Sequence, residues 1–449
     1  MMTRKMKTMM KKNIFCKAVI FFVAALVLSC EQDPIFYTIS TEPKPVKPLI
    51  QGGPTNMVVF NREYADPTDA NKTIKVPIMY VASGSLHWYA KDKLGAGDSR
   101  WDSAEYYIKQ PEERDDSKVI VLAATNNHLY ALCIIGMGKD TRLWRIGPDK
   151  TEWEMIEIDV ENNEGRYSLI QSIFADKEWL FAGVMNNNGS DYGILYLDDT
   201  SDPTLRLIAI DTGLLSGAAS RNNFHYLSTR GDNKNKGGIF IISETELSEN
   251  KLARQLDETG DPEEKNNRLF MGMIKLNDQP ETIIAVERTG GTLFEVQDSG
   301  FRQIKYSNGK AVATGKYSTG ALALWQQVLF DDDGNPQPGT GKRLVAGIQG
   351  GLYSTTTTSS YSHGYVEFEL NSNGSLNLSL SDPNISPNLT VHGFTDRYKA
   401  TIGKHPINFM YQTPKTIDDK MIFFASTQTA GLWSYRDRPP EGFQWNAEK

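Results

Sequence analysis

A short β-like unit recurs along most of the chain, and this repetition constrains the fold more than any other feature of the sequence. Each copy joins an apolar run that ends in a small residue to a polar or glycine-rich turn and a second run that carries an aromatic side chain. Seven copies follow one another at a spacing of about 40–60 residues, a period typical of stacked or radial arrays. The first runs of the copies begin at Met79, Leu129, Trp179, His225, Ile283, Leu344 and Ile422.

Each copy is flanked by two further β-like runs, which makes four short strands per unit. In the third unit the strands are predicted at residues 169–174, 179–184, 193–197 and 205–210. Four strands per repeat with glycine and aromatic marks are typical of a propeller blade. The sequence therefore predicts an all-β fold, a seven-bladed β-propeller with four antiparallel strands per blade. Its units are expected at about residues 57–108, 119–159, 168–211, 215–257, 268–306, 318–380 and 406–447.

The repeats resemble the WIGT…GGL class of bacterial propeller repeats, which is of the two-component-regulator type. Residues 344–352, which read LVAGIQGGL, are the closest match to that pattern. Most other copies replace its tryptophan and threonine by other apolar or small residues. The resemblance covers residues 57–447 and implies an architecture without implying a function.

The repeat also predicts local packing and the way in which the ring closes. Glycine near the second turn should let the hairpin reverse, and the aromatic residue after it should pack between neighbouring blades. One stretch, residues 243–256, has helical spacing. The first strand, at 57–60, is expected to be innermost in its blade, and the last, near 443–445, to form the outer edge of the final blade. Closure would then rest on side-chain packing, with no strand shared between the two ends of the chain.

The first thirty residues have the pattern of an export signal. Six basic side chains precede an apolar run at 18–28, which is too short for the roughly 20 apolar residues of a spanning helix. The stretch from Val27 to Cys30 resembles the bacterial lipoprotein box, which implies that the Cys30 thiol is acylated and begins the mature chain. The alternative is an ordinary signal peptide with an incidental cysteine.

Three segments are therefore predicted, a lipoprotein signal peptide at 1–29, a proline-rich tether at 30–56 and the propeller at 57–449. Five prolines and a Gly-Gly pair make the tether an extended spacer between the lipid and the fold. The tether is similar to the proline-rich openings of spirochaete lipoproteins.

The charge of the chain limits the classes of partner that we expect, and its cysteine content limits the possible disulfides. The formal net charge is −7, and residues 1–29 hold six basic and no acidic side chains, so the exported part is more acidic still. An acidic protein argues against nucleic acid as a partner and leaves acyl chains as the attachment to the membrane. Once Cys16 leaves with the signal and Cys30 is acylated, Cys133 is expected to be a small buried hydrophobe.

These features predict a lipid-anchored protein of the bacterial cell envelope, in the outer membrane or at the periplasmic face. Its expected partners are the membrane, through the acylated N-terminus, and an envelope or extracellular protein or a glycan. The sequence has no sialidase-type Asp box, and its six histidines lack metal-ligand spacing. We therefore expect a binding or scaffolding module without a catalytic residue, metal or cofactor. The alternative is a polysaccharide hydrolase or lyase, which requires paired carboxylates with perturbed pKa values at the channel mouth.

Basic and tyrosine side chains lie at four junctions between predicted blades. Connections from the outer strand of one blade to the inner strand of the next meet around the channel on one face, where binding sites usually form. In an acidic protein these side chains predict a site for an anionic or carbohydrate ligand. The alternative is that they are ordinary solvated loop residues. The candidate ligand-binding residues are Arg166, Tyr167, Arg268, Lys316, Tyr317, Lys404 and His405.

Overall fold

The structure is a computed structural model in which Lys47–Lys449 forms one compact unit. It describes residues 50, 53–83, 87–90, 101–103, 118–135, 140–158, 166–200, 204–231, 237–259, 268–276, 281–288, 290–314, 317–327, 341–351, 365–379, 389–392, 406–413, 422–427, 431–437 and 443–448.

These residues form seven four-stranded antiparallel sheets, and the strands of each sheet follow one another in chain order. Sheet 1 holds β1 (Asn56–Asp66), β2 (Asp69–Ala82), β3 (His87–Ala90) and β4 (Asp102–Ser103), and sheet 2 holds β5 (Lys118–Ala124), β6 (Leu129–Ile135), β7 (Asp140–Ile146) and β8 (Glu154–Ile156). Sheet 3 holds β9 (Leu169–Asp176), β10 (Trp179–Met185), β11 (Tyr192–Asp198) and β12 (Arg206–Thr212), and sheet 4 holds β13 (Leu214–Arg221), β14 (Phe224–Arg230), β15 (Gly238–Ser243) and β16 (Arg254–Leu256).

The remaining three sheets repeat the pattern. Sheet 5 holds β17 (Phe270–Leu276), β18 (Thr282–Glu287), β19 (Leu293–Gln297) and β20 (Gly300–Gln303), sheet 6 holds β21 (Tyr317–Gln327), β22 (Gly341–Gly351), β23 (Tyr365–Glu369) and β24 (Leu389–His392), and sheet 7 holds β25 (Ile407–Gln412), β26 (Phe423–Thr427), β27 (Gly431–Asp437) and β28 (Phe443–Ala447). The first strand of each sheet contacts the first strand of the next, and β25 contacts β1. This is a propeller arrangement, so the predicted all-β fold with four antiparallel strands per blade is confirmed.

The hydrophobic core lies between the sheets. Each cluster of buried apolar residues in the described ranges draws on two consecutive sheets, including sheets 7 and 1. Third-strand aromatic residues fill these interfaces, as predicted, at Trp144, Tyr196, Phe240, Phe294 and Trp433. Burial of one such side chain contributes about 1.5–3 kcal/mol, so the repeated aromatic position is a main source of cohesion between sheets.

Two glycines of the repeat serve different purposes. Gly431 begins β27 with a φ of 77°, a backbone conformation that is strained for any residue with a side chain. The predicted role of this glycine in the turn is therefore confirmed. Gly193 lies inside the β10–β11 pairing, and a Cβ added to it would lie 2.9 Å from the Tyr167 ring and 3.0 Å from the Ala209 carbonyl oxygen. The prediction of a turn role is wrong for Gly193, because close packing is what requires a glycine at this position.

Sheet 6 ends later than predicted. The sequence placed the end of this unit at residue 380, but β24 begins at Leu389 and pairs with β23. A local hairpin explains the error, because a bridge joins Leu370 to Leu376 around a turn of asparagine, glycine and serine residues. That hairpin extends the end of β23, where the Asn377 backbone N–H donates to the Glu369 carbonyl oxygen at 3.0 Å, and it imitates a closing strand.

The stretch with helical spacing, residues 243–256, lies in the connection between β15 and β16. It holds a helix, α1 (Glu244–Ser248), of five residues, and Ser243 caps it with a capping box completed by Glu246. The rest of the stretch leads into β16. No helix within the described ranges is long and apolar enough to cross a membrane.

The first and last sheets share no strand, as predicted, since β1 pairs with β2 and β28 pairs with β27. Met57 and Met79 pack instead against Phe409 and Phe424 of sheet 7. The segment before β1 adds hydrogen bonds that the sequence did not reveal. The Pro54 carbonyl oxygen accepts one from the Asn408 side chain at 3.3 Å, and the Ile50 carbonyl oxygen accepts one from the Leu432 backbone N–H, also at 3.3 Å.

Cys133 lies in β6 and is fully buried with a free thiol. Burial raises the pKa of this thiol to about 12. A thiol held in the neutral form is a poor nucleophile, so the prediction of a small buried hydrophobe is confirmed.

Candidate functional site

The first strands of the sheets all begin at one end of the propeller, which we call the strand-start face. Arg166 lies there, directly before β9, and one of its guanidinium nitrogens lies 2.5 Å from Asp211 Oδ1 and 3.7 Å from Asp191 Oδ2. The guanidinium also lies over the Tyr167 ring, 5.2 Å from its centroid. Tyr167 is buried, and its hydroxyl donates to the Tyr192 carbonyl oxygen at 3.2 Å. In this structure both residues contact their own sheet 3.

Arg268, the second predicted ligand residue on this face, joins sheets 4 and 5. Its Nε and one terminal nitrogen bind the two oxygens of Glu258 at 2.8 and 3.2 Å, and the other terminal nitrogen lies 3.2 Å from Glu287 Oε1. The guanidinium lies 4.8 Å from the centroid of the Phe294 ring. The charge of Arg268 is therefore balanced within the protein.

Glu258 and Glu287 form a pair of carboxylates of the kind that the hydrolase alternative requires. Burial raises the pKa of Glu287 above its ordinary value, although Arg268 acts to lower it. Both carboxylates nevertheless share the Arg268 guanidinium, so neither is open to a substrate. The arrangement is that of an ion-pair network and does not favour the hydrolase.

The side chains of the other predicted site residues are not described by the structure. Cys30, Lys316, Lys404 and His405 lie outside the described residues, and Tyr317 is described only in its backbone, as the first residue of β21. Of the predicted ligand residues, Arg166, Tyr167 and Arg268 are placed on the strand-start face, in two separate networks on sheets 3 and 5.

Two arginines that the sequence reasoning missed lie at the joint of sheets 4 and 5. Arg230 ends β14 and forms a backbone bridge with Leu269, and the Arg288 backbone N–H donates to the Leu269 carbonyl oxygen at 2.7 Å. The two residues therefore both contact the backbone of Leu269, which directly precedes β17. We call Arg230 and Arg288 the arginine pair. Among the described residues, no carboxylate lies within ion-pair distance of either guanidinium.

The arginine pair is electrostatically uncompensated within the described part of the chain. Arg230 is half-buried and Arg288 is exposed. Burial and then the charge of Arg288 lower the pKa of Arg230, whereas Tyr192 acts to raise it. Because a guanidinium stays ionised in proteins, two such charges in a partly desolvated joint repel each other and lack an internal counter-charge. Uncompensated charges of this kind are candidates for functional sites.

A signal for the arginine pair was present in the sequence. Both residues stand where the second strand of a unit ends, Arg230 as the last residue of β14 and Arg288 directly after β18. The turn that follows a second strand lies on the same face as the connection into a first strand. The predicted site residues all lie in such connections, so Arg230 and Arg288 were not among them.

The opposite end, which we call the hairpin face, carries the turns between first and second strands. Asp199 is buried there, with Oδ1 2.6 Å from Nδ1 of His128. The hydroxyls of Thr125 and Tyr130 donate to the same carboxylate. Burial acts to raise the pKa of Asp199, but these hydrogen bonds lower it below its ordinary value of 3.8. Asp199 is thus a buried charge with a full set of partners, and it joins sheet 3 to sheet 2.

Related joints recur around the hairpin face. Asp298 of sheet 5 accepts hydrogen bonds from Tyr226 and Arg221 of sheet 4, and Asp176 of sheet 3 faces His225 of sheet 4 at 3.5 Å. The side chain of His225 has no exposed surface, whereas 23% of the His128 side chain is exposed. His128 is thus a joint residue that also reaches solvent.

Comparisons with known proteins give no family. No family model matches the chain, and neither does any curated protein. The N-terminal domain of Nup159 has a similar structure at 10% identity and a TM-score of 0.41, over 87% of this chain and 92% of that one.

Two bacterial enzymes are similar to the same extent. A GH74 xyloglucanase from Xanthomonas campestris matches at 11% identity and a TM-score of 0.46, over 90% of this chain and 55% of that one. A putative 6-phosphogluconolactonase from Bacteroides uniformis matches at 10% identity and a TM-score of 0.41, over 82% of this chain and 92% of that one. Likenesses of this size carry no argument about function.

Proposed function

We propose that this protein is a lipid-anchored, seven-bladed β-propeller of the bacterial cell envelope that binds an anionic ligand without catalysing a reaction. The observation that carries the proposal is the arginine pair, in which half-buried Arg230 lies beside Arg288 with no carboxylate partner among the described residues. A bound anion would supply the missing counter-charge.

Closure as a single seven-bladed ring is supported by the continuity of the joints. The apolar interfaces run from each sheet to the next and from sheet 7 back to sheet 1. A closed ring holds the strand-start face rigid, which lets residues from different sheets keep a fixed separation.

The chemistry of the arginine pair favours a carboxylate, phosphate or sulfate group. Guanidinium groups bind such oxyanions through parallel hydrogen bonds, and each charge-assisted hydrogen bond contributes about 1.5–3 kcal/mol. Arg166 and Arg268 already hold internal carboxylates, so we place them at the border of the site. Lys316, Tyr317, Lys404 and His405 stay proposed contributors from the following sheets, and an acidic glycan or an acidic protein surface are suitable partners.

Isothermal titration of the full chain with a heparin-derived tetrasaccharide and with tetragalacturonate tests this proposal. The double variant R230M/R288M should bind the preferred probe at least about tenfold more weakly, because two charge-assisted contacts are lost. R302M is the matched control, since Arg302 is an exposed arginine paired with Glu295 on the outer strand of sheet 5. Failure of the wild-type protein to bind either probe, or equal losses in the variant and the control, would contradict the site.

The anchor is a separate part of the proposal and rests on the basic start, the short apolar run and Cys30. Labelling cells with a palmitate analogue should mark the wild-type protein and leave C30S unmarked and uncleaved or soluble. Continued labelling of C30S would show that the lipid is attached elsewhere. Several acyl chains hold a protein stably at a bilayer, so loss of Cys30 should also release the protein from membranes.

A further inference from the structure

A cleft of about 610 Å³ opens on the hairpin face, beside the Asp199 joint and between sheets 1 and 2. This volume lies within the usual range of small-molecule sites. The β5–β6 turn forms one wall, and the turn after β7 forms another. The lining includes Asn61, Asn126, Asn127, His128, Gly147 and Pro148.

The basic side chains of the cleft are all matched by acidic ones, and Glu152 lines it without an ion pair to another described residue. Each basic residue in the lining lies beside an acidic residue that also lines it, in the pairs Lys75–Glu63 at 3.2 Å, Arg145–Glu154 at 2.8 Å and Lys150–Asp149 at 3.1 Å. An anion therefore meets no unpaired cation here, in contrast to the arginine pair on the other face. The described residues also contain no group of three His, Cys, Asp or Glu side chains that could hold a metal ion.

The backbone of the β7–β8 turn is also occupied. The Gly147 carbonyl oxygen accepts from Arg62 Nη1 at 2.7 Å, and the Pro148 carbonyl oxygen accepts from the Glu63 backbone N–H at 2.8 Å. The Lys150 carbonyl oxygen accepts from a second nitrogen of Arg62. An extended peptide that binds by strand addition needs backbone groups that are open, and this wall offers few.

Apart from the Glu152 carboxylate, the polar groups of the lining that stay open are neutral. The side chains of Asn61, Asn126 and Asn127 are exposed and make no hydrogen bond to another described residue. The His128 ring directs Nδ1 to Asp199, while its Cδ2 edge borders the position of Gly147. Because the ionised Asp199 carboxylate only accepts, Nδ1 of His128 carries a proton, and the neutral form of the ring then has Nε2 as an acceptor.

We propose that this cleft binds a neutral oligosaccharide, whose hydroxyls donate to His128 Nε2 and exchange hydrogen bonds with the amides of Asn61, Asn126 and Asn127. A sugar hydroxyl both donates and accepts, and an amide side chain offers both functions at fixed spacing. Pro148 supplies an apolar surface for the face of a sugar ring. The Asp199 joint fixes the His128 ring before the ligand arrives, which reduces the entropy lost on binding. This site differs in place and chemistry from the arginine pair and does not depend on it.

Titration of the full chain with cellotriose, maltotriose and chitotriose, followed by saturation-transfer NMR and calorimetry, tests the inference. The single variants N61A and N127A should each bind the preferred trisaccharide about threefold to tenfold more weakly, because each removes one or two neutral hydrogen bonds. N71A is the matched control, since Asn71 is an exposed asparagine of β2 that does not line the cleft. Its affinity should equal that of the wild-type protein.

Three outcomes would overturn the inference. In the first, the wild-type protein binds no neutral trisaccharide. In the second, N61A, N127A and the wild-type protein bind the preferred trisaccharide with equal affinity. In the third, tetragalacturonate binds more tightly than the neutral sugars do, and N61A weakens the binding of tetragalacturonate. The last result would show that the cleft accepts an acidic ligand. Loss of anion binding in R230M/R288M with trisaccharide binding intact would separate the two sites.

Discussion

Two charged groups at opposite ends of the propeller, Asp199 and Arg230, have opposite surroundings. On the hairpin face, Asp199 is buried and receives hydrogen bonds from His128, Thr125 and Tyr130. On the strand-start face, half-buried Arg230 has Arg288 as its charged neighbour and no carboxylate among the described residues. Satisfied and unsatisfied charges thus mark different roles within one repeated architecture.

The difference teaches how to separate joints from sites in a repeat protein. A joint aspartate is bonded across two sheets, and its position recurs after the third strand, as Asp298 repeats Asp199. A charge that repels a like charge beside it does not hold two sheets together, because the repulsion weakens the contact between those sheets. Such a charge is expected where a ligand completes the structure.

The largest expected effect is at the Asp199 joint. D199A removes the acceptor of the buried Thr125 and Tyr130 hydroxyls and of the half-buried His128 ring, so the free energy of unfolding should fall by about 3–5 kcal/mol. Urea denaturation followed by fluorescence measures the change. D198A is the control, since within the described ranges the Asp198 side chain accepts only from Thr200 in the exposed part of the same turn, and it should cost less than about 1 kcal/mol. Equal losses in the two variants would remove the distinction between joint and surface.

Acid sensitivity should follow from the same joint. The pKa of Asp199 is lowered in the folded state, so its contribution to stability is present above the ordinary value of 3.8 and is lost as pH falls through the lower folded value. Unfolding measured between pH 3 and pH 6 should therefore depend less steeply on pH in D199N. An identical acid limb in D199N and the wild-type protein would show that other carboxylates, such as Asp176 and Asp298, account for it.

The arginine pair should respond in the opposite direction. R230M removes a half-buried charge and its repulsion from Arg288, so the stability of the ligand-free protein should stay unchanged or rise by up to about 1 kcal/mol. Thermal unfolding in low salt measures the difference in stability between R230M and the wild-type protein. Added salt should reduce this difference, because it screens the repulsion between the two arginines. A loss of more than about 1 kcal/mol would mean that Arg230 is a structural residue.

The smallest effect is expected at the exposed ion pair beside Arg166. D211N removes the carboxylate at 2.5 Å from Arg166, and exposed pairs contribute about 0.2–1 kcal/mol. Asparagine tolerates the φ of 54° at this position, so backbone strain should not obscure the result. A larger loss in stability would show that this exposed ion pair is a structural contact of sheet 3.

The fold was largely readable from the sequence because its information is local. Alternating strands, turn residues and one aromatic per unit repeat along the chain, and Trp144, Tyr196 and Phe294 pack where the repeat predicts. The end of sheet 6 was misplaced where a local pattern imitates a sheet strand, at Leu370–Leu376. There, pairing with distant residues decided the outcome.

The candidate sites were less predictable because they depend on contacts between sheets. Arg166 and Arg268 are conspicuous in sequence, yet each meets carboxylates that lie 10–45 residues away in the chain. Arg230 and Arg288 are equally basic, and what distinguishes them is the partner that they lack among the described residues. A single sequence without the fold does not carry that information.

Anomalous diffraction from a crystal of the protein soaked in selenate tests the central claim most directly. The account predicts a selenate ion hydrogen-bonded to the guanidinium groups of both Arg230 and Arg288, and no ion at Arg268, whose nitrogens already bind Glu258 and Glu287. A carboxylate of the chain itself lying between Arg230 and Arg288, with no selenate there, would contradict the account.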